Sequence, residues 1–375
     1  MDNILIIAGE VSGDSHAASL LFKFKNIERN CRFWGIGGDE MKAQGTELIY
    51  HLQEMAFLGI SEVIKHLPFI LRVQRKILSE AEKRKPLCAV LVDYPGFNLK
   101  MARRLKRLGI PVVYYISPQL WAWGSWRVKK IRKYVDKMLV LFEFEKKFYE
   151  QHGIEAEFVG HPLVDKFKGI LPEQYKIFNE NNAVIGLLPG SRRQEVSALL
   201  PAMVQSAAIL KNEGKIRSAE IVKVEHLPLS YYQKIIAGKA DFITVVQEPI
   251  QQCLARYDSV LIASGTATLE SGYFGVPMVV VYKVQWLTFW LGRLLIRLKN
   301  IALVNIVAEE EIAPELIQND FTPQKAAALL KQYLTKEGNI KKRKQLAKLR
   351  IKLGKGNVSL KAASILKDFI YQEKK

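Results

Sequence analysis

The chain has 375 residues, 49% hydrophobic and 25% charged, with 56 Lys+Arg against 37 Asp+Glu for a net charge of +19. That is the balance of a folded globular protein, and the length exceeds what one ordinary core needs, so two domains are expected. The cationic excess calls for an anionic partner: a phospholipid surface, a nucleic acid or a phosphorylated substrate.

Residues 4–8, Ile-Leu-Ile-Ile-Ala, read as a buried strand ending at the Gly9-Glu10-Val11-Ser12-Gly13-Asp14-Ser15-His16 turn. A helical pattern through Leu20, Leu21 and Phe24 follows, which is how a doubly wound α/β domain opens. The dinucleotide fingerprint G-x-G-x-x-G is absent from this turn, so no nicotinamide cofactor is read. Residues 32–36 and the Gly37-Gly38 turn supply a second strand. Residues 55–85 are helical in pattern, with Pro68 as a break or new start. Phe57, Leu58 and Phe69 exceed one buried stripe, which suits either core packing or a greasy face for acyl chains or membrane.

Residues 89–92 form another buried strand, ending in Asp93-Tyr94-Pro95-Gly96-Phe97-Asn98. Ligands of open α/β sheets gather at the carboxyl ends of strands, so Asp93 is either a helix N-cap or a general base. Residues 112–116 lead into Ser117-Pro118-Gln119-Leu120-Trp121-Ala122-Trp123-Gly124. Trp121, Trp123 and Trp126 cover a pocket or pack between helices. Strands at 138–142 and 157–159 follow, the second running into Gly160-His161-Pro162-Leu163. The polar, poorly patterned stretch 167–182 reads as a linker.

The alternation restarts at 184–188, Val-Ile-Gly-Leu-Leu, with later strands at 220–224, 242–246, 259–263 and 278–282. Pro189-Gly190 turns the chain, Ser191 is expected to cap a new helix, and Gln194 to complete a capping box. A helix N-terminus with unpaired N–H groups suits a phosphate, and Arg192 and Arg193 add cationic forks. The alternative is an ordinary βα turn with solvated arginines. The second strand-to-helix turn, Ser264-Gly265-Thr266-Ala267-Thr268-Leu269-Glu270, points to one nucleotide held between two loops. Glu270 would lie about one turn into its helix, where it takes a ribose or simply sits on the surface. Residues 286–299, WLTFWLGRLLIRLK, are a cationic amphipathic candidate, balanced against a core helix with snorkelling arginines. Asn305 is expected on a loop. Residues 341–375 are helical and lysine-rich.

Cys31, Cys88 and Cys253 are far apart and show no metal-ligand spacing, so they read as buried thiols of a reducing compartment. No signal peptide is indicated at the N-terminus, and no uninterrupted apolar run is long enough to span a bilayer.

Taken together, the motifs resemble those of the lipid-A-disaccharide synthase family over nearly the whole chain. The likeness rests on GEVSGD (9–14), FLGISEV (57–63), the Asp93 loop, SPQLWAW (117–123), VGHP (159–162), LLPGSR (187–192), SGTATLE (264–270), PMVVVYK (277–283) and the Asn305 segment. It implies a glycosyltransferase-B fold, two Rossmann-like doubly wound domains across a cleft. The domains expected are an acceptor-binding domain at 1–167, a linker at 168–183 and a UDP-sugar-binding domain at 184–350. A C-terminal helix at 351–375 would pack back on the first domain.

The resemblance also implies the reaction, an inverting transfer from UDP-2,3-diacylglucosamine to 2,3-diacylglucosamine 1-phosphate, giving a β-1,6 disaccharide 1-phosphate and UDP. By the same resemblance Asp93 is the general base and Arg192 neutralises the leaving diphosphate. Gly190, Ser191, Ser264, Gly265, Thr266, Glu270 and Asn305 are expected at the nucleotide. Ser12, Asp14, His16, Asn98 and Gln119 are expected on the acceptor side, with a structural role equally open for His16. No Asp-x-Asp motif occurs, so no metal and no cofactor are expected. Three positions depart from the family pattern: Gly96 replaces a frequent second aspartate, Ala17 a glycine and Val304 a proline.

The partners expected are therefore the two acylated substrates and an anionic membrane surface. That places the chain in the cytoplasm, peripherally on the inner face of the inner membrane, and leaves a homodimer open. Competing readings are a muramyl-lipid N-acetylglucosaminyltransferase, a UDP-sugar 2-epimerase and a basic nucleic-acid-binding protein. The last lacks a helix-turn-helix, zinc-finger or aromatic-platform signature, so no nucleic acid is expected.

Overall fold

The computed structural model describes residues 2–55, 66–122, 124, 127–170, 178–180, 182–236, 241–283 and 300–372. The segment 57–63, Trp123, Trp126 and the amphipathic candidate 286–299 lie outside the described residues.

The chain divides into two compact units, one comprising Met1–Asp165 with Gly354–Lys375 and the other Lys166–Leu353. The first holds seven parallel strands: β1 (Asp2–Ala8), β2 (Cys31–Gly37), β3 (Glu47–His51), β4 (Ala89–Val92), β5 (Val112–Tyr115), β6 (Lys137–Val140) and β7 (Ala156–Phe158). Their order is β3-β2-β1-β4-β5-β6-β7. The second holds β8 (Val184–Leu188), β9 (Ser218–Val222), β10 (Ile243–Val246), β11 (Ser259–Ala263), β12 (Met278–Tyr282) and β13 (Glu315–Ile317), ordered β10-β9-β8-β11-β12-β13. Both are open doubly wound sheets. In each, the order reverses beside the first strand, between β1 and β4 and between β8 and β11. Ligands of such sheets sit at that reversal, outside the carboxyl strand ends.

Strand interiors read as continuous apolar runs because helices cover both faces. On β1, Leu5 and Ile7 face a core shared with Ile77, Met101 and Ile131, so the alternating Ile4 and Ile6 pack on the opposite side. The sequence pattern does not predict the edge strands β3 and β13. Glu47–His51 has no fully buried position and Glu315–Ile317 is only three residues long, so neither carries a core strand's apolar signature.

Pro68 lies in the first turn of the Leu67–Arg84 helix, where a missing N–H costs nothing. The C-terminal helix Val358–Gln372 packs on Val11–Ile27, with Lys367 donating to the Ile27 carbonyl at 2.9 Å. Its start is capped by Asp165, whose carboxylate accepts from the N–H groups of Asn357 and Val358 at 2.5 and 2.8 Å. The expected linker 168–183 falls within the second unit. Phe167, just before it, packs on Phe274, and Phe178 joins the second core.

Candidate active site

β4 delivers Asp93 to the strand end at the reversal of the first sheet. Asp93 and Tyr94 both adopt left-handed φ of +47°, a conformation that costs non-glycine residues roughly 1–2 kcal/mol each. The surroundings hold it there. The Asp93 carbonyl accepts from Asn98 Nδ2 at 2.8 Å and from Tyr114 Oη at 2.6 Å, while its N–H donates to the Tyr115 carbonyl at 3.0 Å. Tyr94 lies against Gly9, where any Cβ would come within 2.2 Å of the ring. The Asp93 carboxyl is pushed up to about 6, chiefly by burial and then by the negative charge of Glu10. A carboxyl poised near neutrality at a strand end suits proton transfer.

Asp93 lines a pocket of about 240 Å³ with Pro95, Ser117, Pro118, Gln119 and Arg127. Its far wall is the loop after β5. That loop begins at Ile116, with φ of +65°, an outlier for a β-branched residue. Glu145, on the Glu143–Gln151 helix, braces it. One carboxylate oxygen accepts from Ser117 Oγ at 2.8 Å and Trp121 Nε1 at 3.1 Å, and the other from the N–H groups of Leu141 and Phe142, each at 3.2 Å. Burial pushes Glu145 up to about 7 against these four donors. Sequence reasoning missed it, because a lone glutamate in a helix's first turn reads as surface charge.

The other residues expected on the acceptor side divide. Gln119 is exposed at the pocket and Ser12 is exposed at the β1 end. Asp14 is 4% exposed, and its carboxylate accepts from the N–H groups of Gly38, Glu40 and Met41 at 2.6, 3.1 and 3.3 Å. It caps the Asp39–Ala43 helix. Asn98 is fully buried beneath the loop, with its amide donating to the Val92 and Asp93 carbonyls. It shapes the site from below. His16 is half-buried, and burial lowers its pKa, opposed by Glu40. His161 stacks on Phe142 at 5.1 Å and is pushed down to about 4 by burial and by His16.

In the second unit, β8 and β11 pair so that Leu188 lies beside Ile262. The 189–192 and 264–266 loops therefore leave neighbouring strand ends. Gly190 has φ of +98°, and a Cβ there would approach Glu195 Oε2 to 2.5 Å, so only glycine fits the turn. The expected Ser191–Gln194 capping box is corrected. The helix is Arg193–Asn212 with Arg192 as N-cap, and Glu195 Oε2 accepts from the N–H groups of Ser191 and Arg192 at 3.1 and 3.2 Å. A carboxylate thus already occupies donors suited to an anion. The Arg192 side chain is 83% exposed and reaches Glu195 Oε1 at 3.1 Å. Burial raises the pKa of Tyr282, at the end of β12, with Glu195 adding to the rise and Arg192 opposing it.

Gly265 and Thr266 are exposed and Ser264 half-buried, with open space over Gly265. Glu270 lies one turn into the Thr266–Tyr273 helix, 14% exposed, and accepts from Lys166 Nζ at 2.9 Å. Asn305 is a further correction. It lies on a helix, Leu303–Ala308, and is fully buried. Its amide donates to the Ala313 carbonyl and Glu315, and its oxygen accepts from the N–H groups of Ile312 and Ala313, all within 2.7–2.9 Å. It shapes the approach to β13 and presents no free polar atom. Glu315 completes the brace by accepting from the N–H groups of Ile301 and Ala302.

Comparison with known proteins is consistent across the whole chain. The sequence model of the lipid-A-disaccharide synthetase family matches residues 4–369. A lipid-A-disaccharide synthase of Coxiella burnetii is 40% identical over 381 residues, covering 98% of this chain and 99% of the relative. One from Nitrosococcus oceani is 42% identical over 338 residues, covering 86% and 85%. Among solved structures, the UDP complex of S. aureus MnaA superposes with a TM-score of 0.66 at 12% identity, covering 99% of this chain and 97% of that one. The calicheamicin glycosyltransferase CalG4 gives 0.60 at 15% identity, with 99% of each covered. These likenesses show the fold, glycosyltransferase-B. No described helix is long and apolar enough to cross a membrane.

Proposed function

Because the chain belongs to the lipid-A-disaccharide synthetase family and is a glycosyltransferase, we propose that it joins two acylated glucosamines with inversion, using Asp93 as general base. The donor is UDP-2,3-diacylglucosamine and the acceptor 2,3-diacylglucosamine 1-phosphate. The acceptor 6-hydroxyl gives its proton to Asp93 as its oxygen attacks the donor anomeric carbon. The bond to the diphosphate breaks, UDP leaves with the electron pair, and the product is the β-1,6 disaccharide 1-phosphate.

The observation that carries this reading is Asp93. It sits at the reversal of the first sheet beside a pocket, in a left-handed turn held by Asn98 and Tyr114, with its carboxyl raised to about 6. On the second unit, the Gly190 turn, Arg192 and the 264–266 loop supply cation, backbone donors and close approach for a diphosphate. Entering phosphate would exchange with Glu195 for Arg192 and the two N–H groups. Glu270, taken from Lys166, would hold the ribose hydroxyls. The acylated substrates and the +19 charge support peripheral binding to an anionic membrane surface, with sugars handled on the cytoplasmic face.

The deciding experiment measures UDP release by purified protein given both substrates, for wild type and Asp93→Asn. Release should require the acceptor. The variant should lose about 10²–10⁴-fold in kcat, the usual worth of a positioned base, with UDP binding intact. Full activity in the variant would remove Asp93 from the role. Absence of acceptor-dependent release from wild type would redirect the reading to another UDP-sugar enzyme of this fold.

A further inference from the structure

We infer that Glu145 is a positioning residue for the acceptor: its carboxylate, through Ser117 and Trp121, holds the 116–121 loop in the shape that forms the far wall of the Asp93 pocket. The inference rests on the reading of that pocket as the acceptor site. Glu145 is 3% exposed and touches no pocket surface itself, so it acts through the loop and not on substrate.

The geometry is a clamp with two jaws. One oxygen takes Ser117 Oγ and Trp121 Nε1, the two ends of a short segment, and the other takes the N–H groups of Leu141 and Phe142 after β6. Between those ends, Pro118, Gln119 and Leu120 line the pocket. A third point comes from Tyr149, one turn along the Glu145 helix, whose hydroxyl donates to the Pro118 carbonyl at 3.2 Å. The Trp121 ring meets Phe144 edge-on at 5.0 Å. Ile116, strained at φ of +65°, is the kind of backbone that persists only where its surroundings over-determine it.

The chemistry requires a carboxylate. Indole and backbone N–H groups only donate, and Glu145 meets two donors at each oxygen. A glutamine of the same shape offers one carbonyl oxygen, so its NH₂ must face donors at one jaw. Burying a charge is costly and is retained where its hydrogen bonds fix a particular arrangement. Here that arrangement is a pocket wall.

The test is steady-state kinetics of Glu145→Gln with both substrates varied, alongside Ser117→Ala and Trp121→Phe. Each of these two removes one donor from the loop jaw and leaves the Leu141 and Phe142 bonds intact. The acceptor KM should rise about tenfold, the equivalent of one lost hydrogen bond to a charged group. Donor KM and kcat should change less than about twofold on the same scale. A merely structural loss would lower the active fraction, reducing apparent kcat with both KM values unmoved, and would overturn the inference. Should Glu145→Gln fail to fold, unchanged acceptor KM in both loop variants would also overturn it. Wild-type protein that releases no UDP on adding acceptor would instead defeat the underlying reading, and the inference with it.

Discussion

At Asp93, geometry and ionisation are set by different neighbours. Asn98 and Tyr114 hold the backbone through its carbonyl, whereas burial and Glu10 raise the carboxyl to about 6. A base must be ionised, so kcat/KM should be full above this value and fall as pH drops through it. The linkage for stability runs the other way. The raised carboxyl favours folding while protonated, and that contribution is lost as pH rises from the ordinary carboxylate range to about 6. Glu10→Gln removes a negative neighbour, so the acid limb of the rate profile should move to lower pH without reaching the unperturbed value, because burial remains. A pH–rate series on both proteins checks this, and an unmoved limb would detach the limb from Asp93. Asp93 was legible as a candidate in the sequence because a carboxylate directly follows an apolar run. Its supports were not, since Tyr114 comes from β5 and Glu10 from the turn after β1.

At the scale of elements, several side chains expected at a ligand hold loops in place. Asp14 caps a neighbouring helix, Asn98 underpins the Asp93 turn, and Asn305 ties its helix to the segment entering β13. A polar residue within a recognisable motif looks the same in sequence whether it faces a ligand or a buried N–H. Only the partner distinguishes them. Asn305→Ala strands the buried N–H groups of Ile312 and Ala313 and should cost roughly 2–4 kcal/mol, read as a lower urea midpoint. Unchanged stability with weakened UDP binding would return Asn305 to the nucleotide. The helix cap after Gly190 teaches the same lesson. Ser191 and Gln194 fit the capping pattern, but the turn at Gly190 places Glu195 on the donors instead.

For the whole molecule, the last helix belongs to the first unit although it follows the second in the chain. Leu366 on it is fully buried. Leu366→Ala should therefore destabilise the protein by about 2–5 kcal/mol, measured as a lower melting temperature, and a change near zero would mean the helix is not part of that core. Charge also acts at this scale. The adjoining helices Pro95–Arg107 and Val128–Tyr134 carry Lys and Arg but no Asp or Glu. Cations near an anionic bilayer contribute about 1 kcal/mol each and are screened by salt. Binding to vesicles containing anionic phospholipid should thus be strong at low ionic strength and fall steeply with added salt. Equal binding to neutral vesicles would argue against an electrostatic surface.

What the sequence determined by itself was the alternation of apolar runs with glycine turns, hence two doubly wound sheets, and the family motifs in order. Those signals are local: a parallel strand buried on both faces is continuously apolar, and glycine favours the tight strand-to-helix turn at Gly190, where φ is positive. The tertiary structure alone decided which strand ends lie together, that Glu145 stands behind the Asp93 pocket, and that Asp14, Asn98 and Asn305 face backbone. It also decided that Glu195 fills the donors at Arg192. Each of these depends on a partner distant in sequence or on the exact turn geometry, and residue type alone does not specify either.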